Sequence, residues 1–115
     1  MIAAQLRKVA LSLPEAEERE TWETATFRVR GKIFAMCSER ERHVWIKATF
    51  DEQQALIQMD PEAFFVPPYV GSKGWIGVVL RHADRGEVAD LVTEAWRMTA
   101  PKRLVKAFDE REGAA

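Results

Sequence analysis

Between residues 26 and 47 the chain changes side at every other residue, and this period constrains its fold more than any other feature. Thr26-Phe27-Arg28-Val29-Arg30 is followed by Gly31, then by Ile33-Phe34-Ala35-Met36-Cys37, a charged break, and His43-Val44-Trp45-Ile46-Lys47. Side chains alternate across an extended strand. The pattern therefore predicts three short strands, with Phe27 and Val29 facing one way and Arg28 and Arg30 the other. Gly31-Lys32 reads as the first turn, because glycine tolerates the positive φ of a tight hairpin. Ser38 to Arg42 reads as the second. A further strand signal runs from Trp75 to Leu80, behind the loop Gly71-Ser72-Lys73-Gly74.

Helical spacing frames these strands. Ile2, Leu6, Val9, Ala10 and Leu13 recur as one apolar stripe that Pro14 ends. The acidic segment 15–23 reads as a connection. Thr49-x-x-Glu52 is a capping box opening a second helix that carries Ala55, Leu56 and Met59 inward and stops near Asp60-Pro61. Phe64-Phe65-Val66 reads as a strand that is short or at an edge, because Pro67-Pro68 cannot donate to a ladder. Asp84-x-x-Glu87 caps a third helix with the stripe Val88, Leu91, Val92, Ala95, Trp96 and Thr99. Pro101 opens a last short helix docked by Leu104, Val105 and Phe108, and 109–115 reads as a frayed end. The expected fold class is α/β of the α+β type: one domain over 1–115, an antiparallel sheet with helices on one face.

In that arrangement Phe27, Val29, Phe34, Met36, Val44, Ile46, Ile76, Val78 and Leu80 face the helices. The opposite phase holds His43, Trp45, Lys47, Trp75, Val79 and Arg81, a mixture of cations and rings.

The 115 residues include 17 Lys and Arg against 18 Asp and Glu, so no net charge pulls the chain toward nucleic acid or anionic membranes. The charges are unevenly spread. Arg28, Arg30, Lys32, Arg40, Arg42 and Lys47 face only Glu39 and Glu41 within 28–47, and Arg97, Lys102, Arg103 and Lys106 have no acid among them. Glu15, Glu17, Glu18, Glu20 and Glu23 stand against Arg19 alone. The single cysteine, Cys37, excludes an internal disulfide. No apolar run suits a leader peptide or a bilayer span, so a cytoplasmic location without membrane association is the expectation.

The segments Trp22-Glu-Thr-Ala-Thr-Phe-Arg-Val-Arg-Gly-Lys-Ile-Phe-Ala35, Asp60-Pro-Glu-Ala-Phe-Phe65, Tyr69-Val-Gly71, Gly74-Trp-Ile-Gly-Val-Val-Leu80 and Glu94-Ala-Trp-Arg-Met-Thr-Ala-Pro-Lys-Arg-Leu104 resemble, in order, the MmcQ/YjbR family. The resemblance implies a CyaY-like or secretion-chaperone-like fold with a double-wing arrangement, in a family of uncharacterised proteins labelled as DNA-binding. It implies no catalytic set. Where members often carry glycine-histidine after the tryptophan matched by Trp22, this chain has Glu23-Thr24.

The candidate nucleic-acid-binding residues are Arg28, Arg30, Lys32, Trp45, Lys47, Lys73, Trp75 and Arg81, with cations neutralising phosphates and tryptophans stacking bases. A solvated sheet whose arginines pair with nearby glutamates, and whose tryptophans pack under long stems, explains the same residues without a ligand. The loop Gly71–Gly74 lacks the spacing of a P-loop. His43, His82 and Cys37 lack metal-ligand spacing, and Ser38 and Ser72 lack a base. The expectation is thus a non-catalytic DNA-binding protein without cofactor or metal. A protein-interaction or adaptor domain with an apolar groove is the main alternative, and a small enzyme of unidentified class the other.

Overall fold

A computed structural model describes residues 1–21, 24–38 and 42–114. Trp22, Glu23, Glu39, Arg40 and Glu41 lie outside the described residues, and with them any pairing of the strand arginines to those glutamates. The elements run α1 (Ala3–Ser12), β1 (Ala16–Thr21), β2 (Thr24–Val29), β3 (Lys32–Ser38), β4 (His43–Ile46), α2 (Phe50–Met59), β5 (Phe64–Phe65), β6 (Ile76–Val79), α3 (Arg85–Thr99) and α4 (Lys102–Ala114). Short 3-10 turns at Val70–Lys73 and Leu80–His82 bracket β6. The strands form one six-stranded sheet in the order β1-β2-β3-β4-β6-β5, antiparallel throughout.

All four helices contribute to one apolar cluster on one face of the sheet. Leu6 and Ala10 of α1 and Val88, Val92, Ala95 and Trp96 of α3 are sealed against Phe27, Phe34, Val44, Ile46, Ile76 and Val78, while Leu56 and Ile57 of α2 and Val105 and Phe108 of α4 close its margin. The predicted α3 stripe is buried at every position. Asp84 accepts from the Glu87 amide at 3.0 Å and Thr49 from the Glu52 amide at 3.2 Å, as the two capping signals require. Trp96 donates its indole N–H to the Pro14 carbonyl at 3.0 Å, so the largest buried ring also ties α3 to the start of β1.

Four expectations need correction. The acidic segment 15–23 contains a strand: β1 pairs along its length with β2. Its charges suit an edge strand, where they discourage pairing with another chain, and Glu18 turns to the helix side to meet Arg7 at 2.8 Å. The first hairpin turn is Arg30-Gly31, both at positive φ (51° and 80°), the pattern of a two-residue type I′ turn. Arg30 thus leaves the strand and does not share a face with Arg28.

The third correction is a β-bulge. Phe27 pairs with Ala35 and Arg28 with Ile33, which leaves Phe34 as an extra residue on β3. Phe34 and Ala35 both enter the core, and the phase then inverts, so Cys37 is buried and Met36 faces away from the helices opposite Trp45. In α2, finally, the inward residues are Gln53, Leu56 and Ile57; Ala55 is exposed and Met59 is 63% exposed. Gln53 takes the buried position because its amide has backbone partners there.

Candidate nucleic-acid interface

The helix-free face of the sheet is built from the alternate residues of the same strands. Its middle row, read across the ladders, is Arg19, Thr26, Met36, Trp45 and Gly77, with Phe65 alongside Gly77 on the edge strand. A Cβ on Gly77 would lie 2.5 Å from the Phe65 ring, so the glycine lets that ring lie flat on the sheet. His43 packs against Phe65 with centroids 5.1 Å apart. Met36, Trp45, Phe65, His43 and Val79 are all half-buried: each keeps part of its surface in solvent.

Of the cations read from the sequence, Arg28 is half-buried on this face, two strands from Trp45. Its Nε donates to Thr26 Oγ1 at 3.1 Å, and Thr26 in turn donates to the Arg19 carbonyl at 2.7 Å. Glu17 is its cross-strand neighbour, but that carboxylate pairs with Arg19 at 2.8 Å. Lys47 follows β4 in the same phase as Trp45, and its amide donates to the Phe34 carbonyl at 3.0 Å, so the ladder extends past the bulge. Among the described residues no carboxylate forms an ion pair with Arg28 or Lys47.

The topology collects most of the set at one end of the sheet. Arg30 is in the turn after β2, Lys32 opens β3, Lys47 follows β4 and Lys73 precedes β6; these strands are successive antiparallel neighbours, except that Lys73 belongs to the turn before its strand. Lys32 and Lys73 are exposed. Arg30 is held by Glu15 at 2.5 and 3.1 Å. The hydrogen bond to Arg30 keeps the Glu15 carboxyl below the usual range, and Glu15 holds the Arg30 guanidinium above its own. Arg81 sits at the opposite end, exposed, with Nε donating to His82 Nε2 at 3.2 Å.

Trp75 is only 8% exposed, and its carbonyl accepts from buried Gln53 at 2.7 Å. Trp45 therefore offers the more accessible indole of the two. The cations near the C-terminus divide similarly. Arg97 binds Glu94 and also Asp109, the latter at 2.9 Å, and lies 5.5 Å over the Phe108 ring, clamping α3 to α4. Lys102 and Lys106 border a shallow depression there together with Asp109 and Glu110.

Sequence reasoning missed Met36 and Phe65 as members of the open face. The bulge that turns Met36 outward has no local signature, whereas Gly77 opposite an aromatic residue is a signal that can be read once the pairing is known. No helix among the described residues is long and apolar enough to cross a membrane.

Comparison with known proteins places this geometry among proteins of similar build. A family model described as YjbR matches residues 11–98. The uncharacterized proteins Mb2600 of Mycobacterium bovis and Rv2570 of Mycobacterium tuberculosis are each 37% identical to the chain over 59 residues, covering 51% of it and 46% of the relative. The chain thus spans less than half the length of these curated relatives. Among solved structures, Deinococcus radiodurans protein DR2400, with a DUF419 domain, superposes with a TM-score of 0.78 at 19% identity, over 84% of this chain and 77% of that one. At that identity the likeness speaks for the α+β fold alone.

Proposed function

This chain belongs to the YjbR family, and we propose that its helix-free sheet face binds single-stranded nucleic acid without catalysis. One observation carries the reading: a partly exposed Trp45 on the helix-free face of the sheet, with Lys47 two residues on in the same phase and Arg28 two strands away, neither cation having an ion-pair partner among the described residues. An open sheet with rings on its surface suits splayed bases, because every base has a π-face to stack. Arg28, Lys47, Lys32 and Lys73 then neutralise phosphates, and Arg30 joins them when Glu15 releases it. Arg81, at the other end, meets the strand only if it runs the full length of the face. Trp75, which has little access, takes no base in this reading.

The apolar residues around Trp45 favour a second reading. Met36, Phe65 and Val79 give the face a centre suited to an amphipathic segment of another protein, with the cations as a rim. Fluorescence anisotropy with labelled single-stranded and duplex DNA, titrated from low to physiological salt, separates the two. Single-strand binding that weakens with salt and is lost in an Arg28→Glu/Lys47→Glu variant of unchanged Tm supports the nucleic-acid surface. No binding of either DNA at low salt rejects it for DNA and leaves the protein-partner reading.

A further inference from the structure

The loop that leads into β6 holds the most exposed large apolar side chain among the described residues in an unfavourable backbone conformation. Tyr69 is 89% exposed and sits at φ 63° and ψ −71°. The Val70 amide donates to the Pro68 carbonyl at 2.7 Å across it. Together these make a γ-turn of the positive-φ kind, which is rare and strained outside glycine. Among the described residues no ring or cation stacks on Tyr69.

The loop is held in this shape from several sides. Ser72 Oγ donates to the Tyr69 carbonyl at 2.8 Å, and the Gly71 amide to the Pro67 carbonyl at 3.1 Å. Gln53, 2% exposed on α2, donates to the Gly71 carbonyl at 2.9 Å as well as to that of Trp75. Gly71 packs so closely that a Cβ would lie 2.5 Å from Val66, and Gly74, at φ 95°, approaches the Phe50 amide to within 2.9 Å of its own would-be Cβ. A buried amide and two tightly packed glycines thus fix a turn whose most prominent product is an outward ring. Strain kept in place by its surroundings is a feature of ligand-contacting sites.

Two further facts say what the ring meets. Lys73, exposed and without an ion pair among the described residues, closes the same turn. The loop also enters β6 at the end of the sheet where Lys32 and Lys47 lie. An exposed ring four residues from an exposed cation, in the loop that enters the sheet at its basic end, suits a base joined to a phosphate.

We propose that Tyr69 is a second stacking platform, taking an unpaired base of the strand that lies on the sheet while Lys73 contacts the adjoining phosphate. This rests on the nucleic-acid reading of the open face and extends that face by the loop.

The test is anisotropy with a labelled single-stranded oligothymidylate on wild type and four variants, alongside thermal melts. Tyr69→Ala is expected to weaken binding by roughly five- to 150-fold, the range for loss of one stacked base, without changing the salt dependence. Tyr69→Gly is expected to weaken it equally while keeping or raising Tm, because glycine accepts the positive φ. Tyr69→Trp retains affinity, and Tyr69→Leu, which keeps apolar area but no π-face, does not. If wild type binds and Tyr69→Ala stays within twofold of it, the loop inference fails and the sheet reading stands. Wild-type-like binding by Tyr69→Leu also overturns it, since the contact is then apolar and not stacking. If wild type itself does not bind, both fall together.

Discussion

On the helix side of the sheet, Phe27, Phe34, Val44, Ile46, Ile76 and Val78 are each at most 1% exposed; on the other side Arg28, Met36, Trp45, Phe65 and Val79 all keep part of their surface in water. Strands β2, β3, β4 and β6 supply both sets, in alternation except at the Phe34 bulge. The sealed side is uniform in chemistry and tolerates no unpartnered polar group, which is why the buried Thr99 hydroxyl bonds back to the Ala95 carbonyl at 2.8 Å. The open side mixes rings, a thioether and cations, and its hydrogen bonds (Arg28 to Thr26, Thr26 to Arg19) fix a charged side chain in place without neutralising it. Stability resides on the first side. Recognition, in the reading proposed, resides on the second.

The largest expected difference between the two sides comes from their tryptophans. Trp96→Ala removes a fully buried ring, its bond to Pro14 and its contact with Phe108 at 5.0 Å. It should destabilise the fold by roughly 3–5 kcal/mol, the usual cost of a large core truncation, measured by urea denaturation. Trp45→Ala should cost less than about 1.5 kcal/mol, because its ring already sees solvent, while reducing single-strand affinity severalfold. Equal stability losses in the two variants would mean that the open face is a second core.

A finer break tests the bulge. Lysine at Met36 is expected to change stability by less than about 1 kcal/mol, as for a surface position. Lysine at the next residue, Cys37, brings a charge into the core and should unfold the protein at ordinary temperatures. Melts of the two variants report this directly. The reverse ranking would restore the unbroken alternation.

Much of this contrast was legible beforehand. The α3 stripe, both capping residues, the short Phe64-Phe65 strand and the inward set Phe27, Val29, Val44, Ile46, Ile76, Val78 follow from periodicity and turn chemistry, which are local. What was not legible depends on partners. β1 is a strand because β2 offers it a ladder, against the weak strand propensity of Glu-rich sequence. Met36 faces outward because of one unpaired residue two positions earlier. Gln53 is inside α2 because the carbonyls of Gly71 and Trp75 arrive beside it, 18 and 22 residues along the chain. For the site, the cations and Trp45 could be picked out by type. Their convergence on one end of the sheet needed the strand order, and the burial of Trp75 needed the packing of the loop before it.

The dependence of Gln53 on distant backbone gives the next prediction. Gln53→Leu keeps the volume but takes the side-chain donor from the Trp75 carbonyl, at about 1–3 kcal/mol for a buried group left unsatisfied, while the Gly71 carbonyl keeps the Gly74 amide at 3.1 Å. Hydrogen exchange should quicken across 66–75 before the rest of the sheet responds, because the loop loses its anchor to α2. Uniform protection across that segment would show that the two glycines hold the loop unaided.

The smallest expected effect lies at the rim of the open side, where Glu15 occupies Arg30. The hydrogen bond and charge of Arg30 lower the Glu15 pKa in the folded protein, with desolvation opposing. A carboxyl so depressed contributes its stability above the ordinary glutamate range and loses it as pH falls through the folded value. Both groups are exposed, so the melt should move little. The carboxyl carbon signal of Glu15 should nevertheless titrate at lower pH than in Arg30→Gln, where it returns to the ordinary range. Freeing Arg30 by Glu15→Gln then adds one available cation to the end that holds Lys32 and Lys47. Single-strand affinity should rise at low salt, and the slope of log affinity against log salt should steepen by about 0.7, the value for one more neutralised phosphate on a single strand. A steeper slope would assign Arg30 to the rim of the binding face. An unchanged slope, with Glu15 still titrating below the ordinary range in the wild type, would confine the pair to the hairpin and leave the basic end to lysines that have no carboxylate to release.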